Sequence, residues 1–169
     1  MNENISFEAT ITEQDLYKYN LHHSYTSTQG IFSIVVAALL IVAWVMQFDR
    51  LSLVYLVLYQ LIALMFLLYI PLNLRLRAKQ QMQQEVFKHP LTYTLGDDGI
   101  SVSSPTAEKP AVLPWDYVYK IVTWSGYLLI YSNRVNAYII PRTQISGQEQ
   151  QIFDYIKNHV EDFKLTLKA

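Results

Sequence analysis

Hydrophobic and polar residues fall in blocks along this chain, and each block has its own period. Residues 5–11, ISFEATI, alternate apolar and polar and predict a short strand. Thr12, with Asp15 three residues on, is a T-x-x-D capping pattern and predicts a helix over about 13–25. That helix carries Leu16, Tyr17, Tyr19 and Leu21, which suit either the inner interface of a membrane or packing against a soluble domain. Periodicity then disappears. Ile31 to Phe48 (18 residues) and Leu51 to Leu72 (22 residues) are apolar on every face, divided only by Asp49 and Arg50. At about 1.5 Å per helical residue they reach ~27 Å and ~33 Å, against a hydrocarbon core of ~30 Å. Buried helices of a soluble bundle would show polar residues on an outer face, and these do not. A cleaved signal peptide fits poorly too, since no basic segment precedes Ile31 and no small-x-small site follows the first run.

Beyond Leu72 the pattern changes twice. Residues 73–88, NLRLRAKQQMQQEVFK, are polar helix formers and predict a helical extension, with Pro71 marking the inner end of the apolar run. From Leu91 the period is two. Leu91, Tyr93 and Leu95 alternate with threonines, Gly96-Asp97-Asp98-Gly99 is a turn, and Ile100 and Val102 alternate with serines. Further strand-like runs follow at about 111–115, 117–123, 127–132 and 136–140. Ser146 and Glu149 form an S-x-x-E capping box. Ile152, Ile156, Val160 and Phe163 then recur at helical spacing, with Phe153 beside them. The expected fold is α+β: a transmembrane helical hairpin plus a small antiparallel sheet or open barrel closed by a C-terminal helix. The C-terminal part supplies six strand-like runs, and the strand at 5–11 is expected to pair with that sheet. The chain divides into a strand and interfacial helix (1–30), the hairpin (31–72), a helical linker (73–90) and a C-terminal domain (91–169).

Charge adds an orientation. Residues 1–30 contain only Lys18 among Lys and Arg, and the turn contains Arg50, whereas Arg75, Arg77 and Lys79 follow the second run. Basic residues near membrane ends favour the cytoplasm, so both termini are expected there, in a two-span protein of the cell membrane. Arg75, Arg77 and Lys79 either contact anionic headgroups or serve only this orientation. Gln60 is the strongly polar side chain deep in the second run, and an interhelical hydrogen bond is its expected role rather than a transport path.

The formal net charge of -1 excludes a basic field for nucleic acid. With no cysteine, disulfides, thiolate catalysis and Cys-ligated zinc are excluded. Nucleophile-elbow, phosphate-loop, dinucleotide and zinc-protease motifs are absent from the sequence. His22 and His23 are adjacent and cannot share a helix face, and His89 and His159 lie far off in sequence. Asp97 and Asp98 read as turn residues, and Trp115 as a core plug. Trp124 and Tyr127 flank Ser125-Gly126 at a hairpin tip and are the candidate partner surface.

Three phrases carry a resemblance: TYTLGDDGISVSS with its D-x-G-I turn, LPWDYVYKI with Trp115 and Lys120, and GYLLIYSNRVNAYIIPR. In this order they resemble the C-terminal domain of YcxB-like membrane proteins. The resemblance implies two transmembrane helices followed by a domain similar to the pleckstrin-homology (PH) fold, and it implies no catalytic residues and no cofactor. Headgroup-binding PH domains have basic residues around the first hairpin turn; here that turn is Asp97-Asp98, and residues 91–169 hold seven Lys/Arg against eight Asp/Glu. The expected function is therefore a non-catalytic, membrane-anchored binding or scaffolding protein. Its partners are the lipid bilayer and an unidentified protein or peptide, and a homo-oligomer is compatible with the sequence. The alternative is a small accessory or immunity-like factor acting on another membrane protein through its hairpin.

Overall fold

Thr12 and Asp15 satisfy each other where the first helix begins. The computed structural model, which describes residues 4–168, places the Asp15 backbone N–H 3.2 Å from Thr12 Oγ1 and the Thr12 N–H 2.8 Å from Asp15 Oδ2. The capping box is thus reciprocal, as its spacing predicted. It opens helix α1 (Glu13–Thr26), which follows strand β1 (Ile5–Ala9).

The chain forms two compact units. One joins the residues up to Leu16 with those from Gln81 onward; the other is Tyr17–Gln80.

The first unit is built on two sheets. Strand β1 pairs antiparallel with β2 (Leu91–Gly96), then β3 (Gly99–Ser103) and β4 (Ala111–Leu113) complete the sheet in the order β1-β2-β3-β4. The N-terminal strand does pair with the C-terminal sheet, in the register Phe7 opposite Tyr93. Alternation puts Phe7, Ala9, Tyr93, Leu95, Ile100 and Val102 inward, and Phe7 stacks on Tyr93 at 5.4 Å between ring centroids. Gly99 adopts φ +145°, and a Cβ there would stand 2.4 Å from the Leu113 carbonyl oxygen, so the turn after Asp98 accepts only glycine.

The second sheet is β7-β6-β5-β8: β5 (Lys120–Trp124), β6 (Tyr127–Tyr131), β7 (Ala137–Pro141) and β8 (Leu165–Thr166). Pro114 ends β4, and residues 115–117 form a 3₁₀ turn, so the expected strands at 111–115 and 117–123 are each shorter than their apolar pattern. Strand β8 was not expected. It pairs parallel with β5, Leu165 opposite Ile121, and its two residues are too few to show a period. The second sheet is therefore mixed while the first is wholly antiparallel, and the two do not close into a barrel.

Two helices follow β7: the short α4 (Arg142–Ile145) and α5 (Glu149–His159). Ile152, Phe153, Tyr155 and Ile156 of α5 enter the core, with Val160 just past its end. Two expectations fail here. Ser146 donates to the Thr143 carbonyl at 3.3 Å, and Glu149 instead pairs with Arg142 Nε, so no S-x-x-E capping box forms. The ion pair offers Glu149 a charged donor in place of a backbone N–H. Phe163 is 82% exposed, because the chain turns extended at Val160 to reach β8 before the helical period arrives at 163.

The second unit comprises the rest of α1, α2 (Thr28–Met46) and α3 (Leu53–Gln81). Helix α3 runs through Pro71 to Gln81 rather than changing character at Leu72, and residues 82–84 and a 3₁₀ turn at Glu85–Phe87 replace the end of the expected linker helix. Gly30 and Ala37 are buried in α2, and Leu56 and Ala63 in α3; each pair lies seven residues apart, on one face of its helix. A Cβ on Gly30 would meet the Ser24 carbonyl oxygen at 2.0 Å, so the approach of α1 to the start of α2 depends on that glycine. Gln60 is exposed and has no hydrogen bond among the described residues, so the expected interhelical bond is absent. On α3 it stands four residues after Leu56 and three before Ala63, along the face those two mark, yet it is exposed.

Candidate functional site

In the first unit a cavity of about 340 Å³ opens between the two sheets. Tyr93 and Val102 line it from β2 and β3, and Tyr138 from β7, the edge strand of the second sheet. Phe87 closes one side from the 3₁₀ turn, and Ser104 and Lys109 supply polar atoms from the β3–β4 loop. Tyr93 meets Tyr138 edge-on at 6.0 Å between ring centroids. Burial pushes the Tyr93 phenol well above the ordinary tyrosine range, and the nearby Tyr138 pushes the same way; burial also raises Tyr138. Both rings therefore stay neutral at physiological pH. An apolar concavity with a few polar groups at its rim is the usual form of a small-ligand or side-chain pocket. No local motif announces it, since five separated segments build it. Only the apolar Val86-Phe87 pair inside an otherwise polar stretch hints at one wall.

The expected partner surface is different from its sequence reading. Ser125 (φ 47°) and Gly126 (φ 85°) form a two-residue hairpin turn with both residues at positive φ, which suits the twist of β5 and β6. They are exposed, but Trp124 is half-buried and Tyr127 is only 6% exposed. The Tyr127 ring lies 6.2 Å from that of Trp124, and its hydroxyl donates to Asp15 Oδ1 at 2.6 Å. Asp15 therefore caps α1 with one oxygen and holds Tyr127 with the other. Desolvation, then the bond to Asp15, push the Tyr127 phenol up to about 12. Tyr127 is a strut between the β5–β6 turn and the start of α1, not an exposed anchor.

Trp115 is buried at 8%, and its indole N–H donates to the Gly96 carbonyl at 2.9 Å, as a core plug should. It heads a column in which Trp115, His159 and Tyr155 stack at 5.1 and 4.5 Å. His159 Nδ1 lies 2.8 Å from the Tyr155 carbonyl and must donate to it, while Nε2 faces Asp97 Oδ1 at 3.9 Å. The Tyr155 hydroxyl lies 3.4 Å from the same carboxylate oxygen. Burial first, then Asp97, raise the Tyr155 phenol. The sequence separation of Asp97 and His159 hid this grouping. Each imidazole nitrogen is thus turned to an oxygen of the protein, within hydrogen-bond distance at Nδ1 only.

His22 and His23 are successive residues of α1, and among the described residues no three His, Asp or Glu side chains are grouped to hold a metal ion. Arg75, Arg77 and Lys79 lie on the last turns of α3, without an acidic partner among the described residues. Comparison with curated proteins returns no match. The stretch from Leu95 in β2 to Ile156 in α5 contains the D-x-G-I turn, Trp115, Lys120 and the AYIIPR strand end. Residues 95–156 match the family model described as YcxB-like protein, so this segment is similar to that family.

Proposed function

We propose that this chain is a membrane-anchored, non-catalytic binding protein whose sheet unit recognises a protein or peptide partner on the cytoplasmic side of the cell membrane. Membrane insertion is supported by α2 and α3, which are long and apolar, with mean hydropathy 2.4 and only 11% and 12% of their apolar windows buried. A core helix of a soluble protein would be mostly buried. Four strands, then three, then a covering helix follow the order of a PH-like domain, which supports that fold for the sheet unit.

The observation that carries recognition is the cavity between the sheets. It is apolar and bounded by an edge strand, so it suits one or two apolar side chains of a partner segment. A photoreactive phenylalanine at Ala107, in the full chain in cells, should give a discrete protein adduct. Narrowing the cavity by Ala137→Phe should reduce that adduct several-fold while the protein stays folded. Lipid adducts alone, or a protein adduct indifferent to Ala137→Phe, would rule out the cavity as the recognition site.

Gln60 favours a second reading in which the hairpin itself contacts another membrane protein. A polar side chain at that depth gains about 0.6 kcal/mol from a hydrogen bond across helices, and this chain supplies it none among the described residues. Loss of a membrane-protein contact on Gln60→Leu, with the Ala107 adduct unchanged, would establish the hairpin route.

A further inference from the structure

In the helical unit two cavities share a wall. One, of about 250 Å³, is lined by Ser24, Ser27, Gln29, Asn73 and Arg77, with Tyr69 and Ile70. The other, of about 300 Å³, is lined by Gln29, Ser33, Met65, Tyr69 and Ile70. Gln29, Tyr69 and Ile70 belong to both, so they form one groove. Met65, Tyr69, Asn73 and Arg77 follow one another at intervals of four on α3, a single stripe about 18 Å long. The stripe runs from a thioether through a phenol and an amide to a guanidinium.

Charge says what the cationic end lacks. Between Tyr17 and Gln80 the basic residues are Lys18, Arg50, Arg75, Arg77 and Lys79, and the only acidic one is Asp49, giving a formal charge of 5 − 1 = +4. Asp49 sits beside Arg50 in the turn between α2 and α3, at the far end of α3 from Arg77. No described carboxylate pairs with Arg77. Asn73 and Gln29 add amide donors near it, and Met65 and Ile70 make the other end apolar.

We infer that this groove binds one anionic glycerophospholipid of the inner leaflet, its phosphate at Arg77 and Asn73 and an acyl chain along Tyr69, Ile70 and Met65. This rests on the membrane-inserted reading given above. A basic residue at the end of a span could serve orientation alone. A groove graded from apolar to cationic adds a place for a whole amphiphile, which orientation does not require.

The test is native mass spectrometry of the full chain released from detergent, with phosphatidylglycerol and phosphatidylcholine of matched chains. The wild-type chain should retain phosphatidylglycerol over phosphatidylcholine. Arg77→Gln should weaken that retention about five-fold, while Arg75→Gln, off the stripe, should change it far less. Equal retention of the two lipids, or equal losses from Arg77→Gln and Arg75→Gln, would overturn the site. Displacement of phosphatidylglycerol by millimolar inorganic phosphate would also overturn it, by showing an anion site with no use for the acyl chain. Carbonate extraction of native membranes separates the two readings. A chain that resists extraction yet shows no lipid preference loses only this groove, whereas a chain that washes off loses the membrane reading itself.

Discussion

Single side chains set the limits of the sheet unit. Gly99 combines a φ of +145° with backbone atoms on the side where a Cβ would grow, Leu113 O at 2.4 Å and Pro114 Cα at 2.7 Å. No flexible side chain can move aside there. Gly99→Ala should cost about 3 kcal/mol, from left-handed strain and displacement of β4 together. Trp115 can report it alone in a chain with Trp44 and Trp124 replaced by Phe, since its indole is bonded to Gly96 in the same turn region. An unchanged denaturation midpoint would show that β4 can shift freely. Tyr127 offers a test in pH. Its phenol is raised from the ordinary value near 10 to about 12 by desolvation and by Asp15. The folded state therefore holds this proton more tightly than the unfolded one. The associated stability is present below pH 10 and is lost as pH rises through about 12. Tyr127→Phe should cost about 1.5–3 kcal/mol at neutral pH, as expected for a hydrogen bond to a carboxylate. It should also flatten the decline between pH 10 and 12 relative to the wild-type chain, read from urea midpoints across that range. A parallel decline in both proteins would mean that Tyr127 is not the group responsible.

At the scale of elements, the strand at the start of the chain completes a sheet begun some eighty residues later. Phe7 stacks on Tyr93, and beyond β1 the Thr10 backbone exchanges two 2.8 Å hydrogen bonds with the Gln144 side chain. Phe7→Ala should destabilise the sheet unit by about 3–5 kcal/mol, as expected for a buried aromatic. Peptides covering residues 4–11 should exchange amide hydrogen slowly in the intact chain. Exchange as fast as in an unstructured peptide would show that β1 does not hold the sheet. This strand was legible because a one-sided strand leaves a period of two. The D-D turn, the β5–β6 hairpin and the inward face of α5 at Ile152 and Ile156 were legible for the same kind of reason. What period and spacing could not show was long-range competition. Phe163 fits the helical repeat, but parallel pairing of Leu165 with Ile121 draws the chain out first. Ser146 and Glu149 fit a capping box, but Arg142 takes the glutamate. Tyr127 reads as an exposed tip residue until Asp15 arrives from a segment 112 positions away. The cavity had no local signature, because its walls meet only after both sheets form.

For the molecule as a whole, charge and hydrophobicity are partitioned between the two units. The segment Tyr17–Gln80 carries a formal +4, and the remaining residues carry 8 basic against 13 acidic groups, a formal −5 that restores the net −1. A near-neutral average therefore conceals a cationic helical unit and an acidic sheet unit. Arg75, Arg77 and Lys79 lie at one end of the α2–α3 pair, and the turn at the other end holds a single Arg beside an Asp. Translocating that turn carries almost no net charge across the bilayer, whereas translocating the opposite end carries three cations and the sheet unit with them. The expected topology therefore puts Arg50 outside and the sheet unit inside. The chain contains no cysteine, so single cysteines can be read without background. Arg50→Cys should react with a membrane-impermeant maleimide on intact cells, since residues 49 and 50 are exposed in their turn. Glu108→Cys, on an exposed loop, should react only after the membrane is permeabilised. Labelling of Glu108→Cys but not Arg50→Cys in intact cells would invert the topology and place the cavity outside the cell. Labelling of neither before permeabilisation and both after would show that the hairpin does not cross at all.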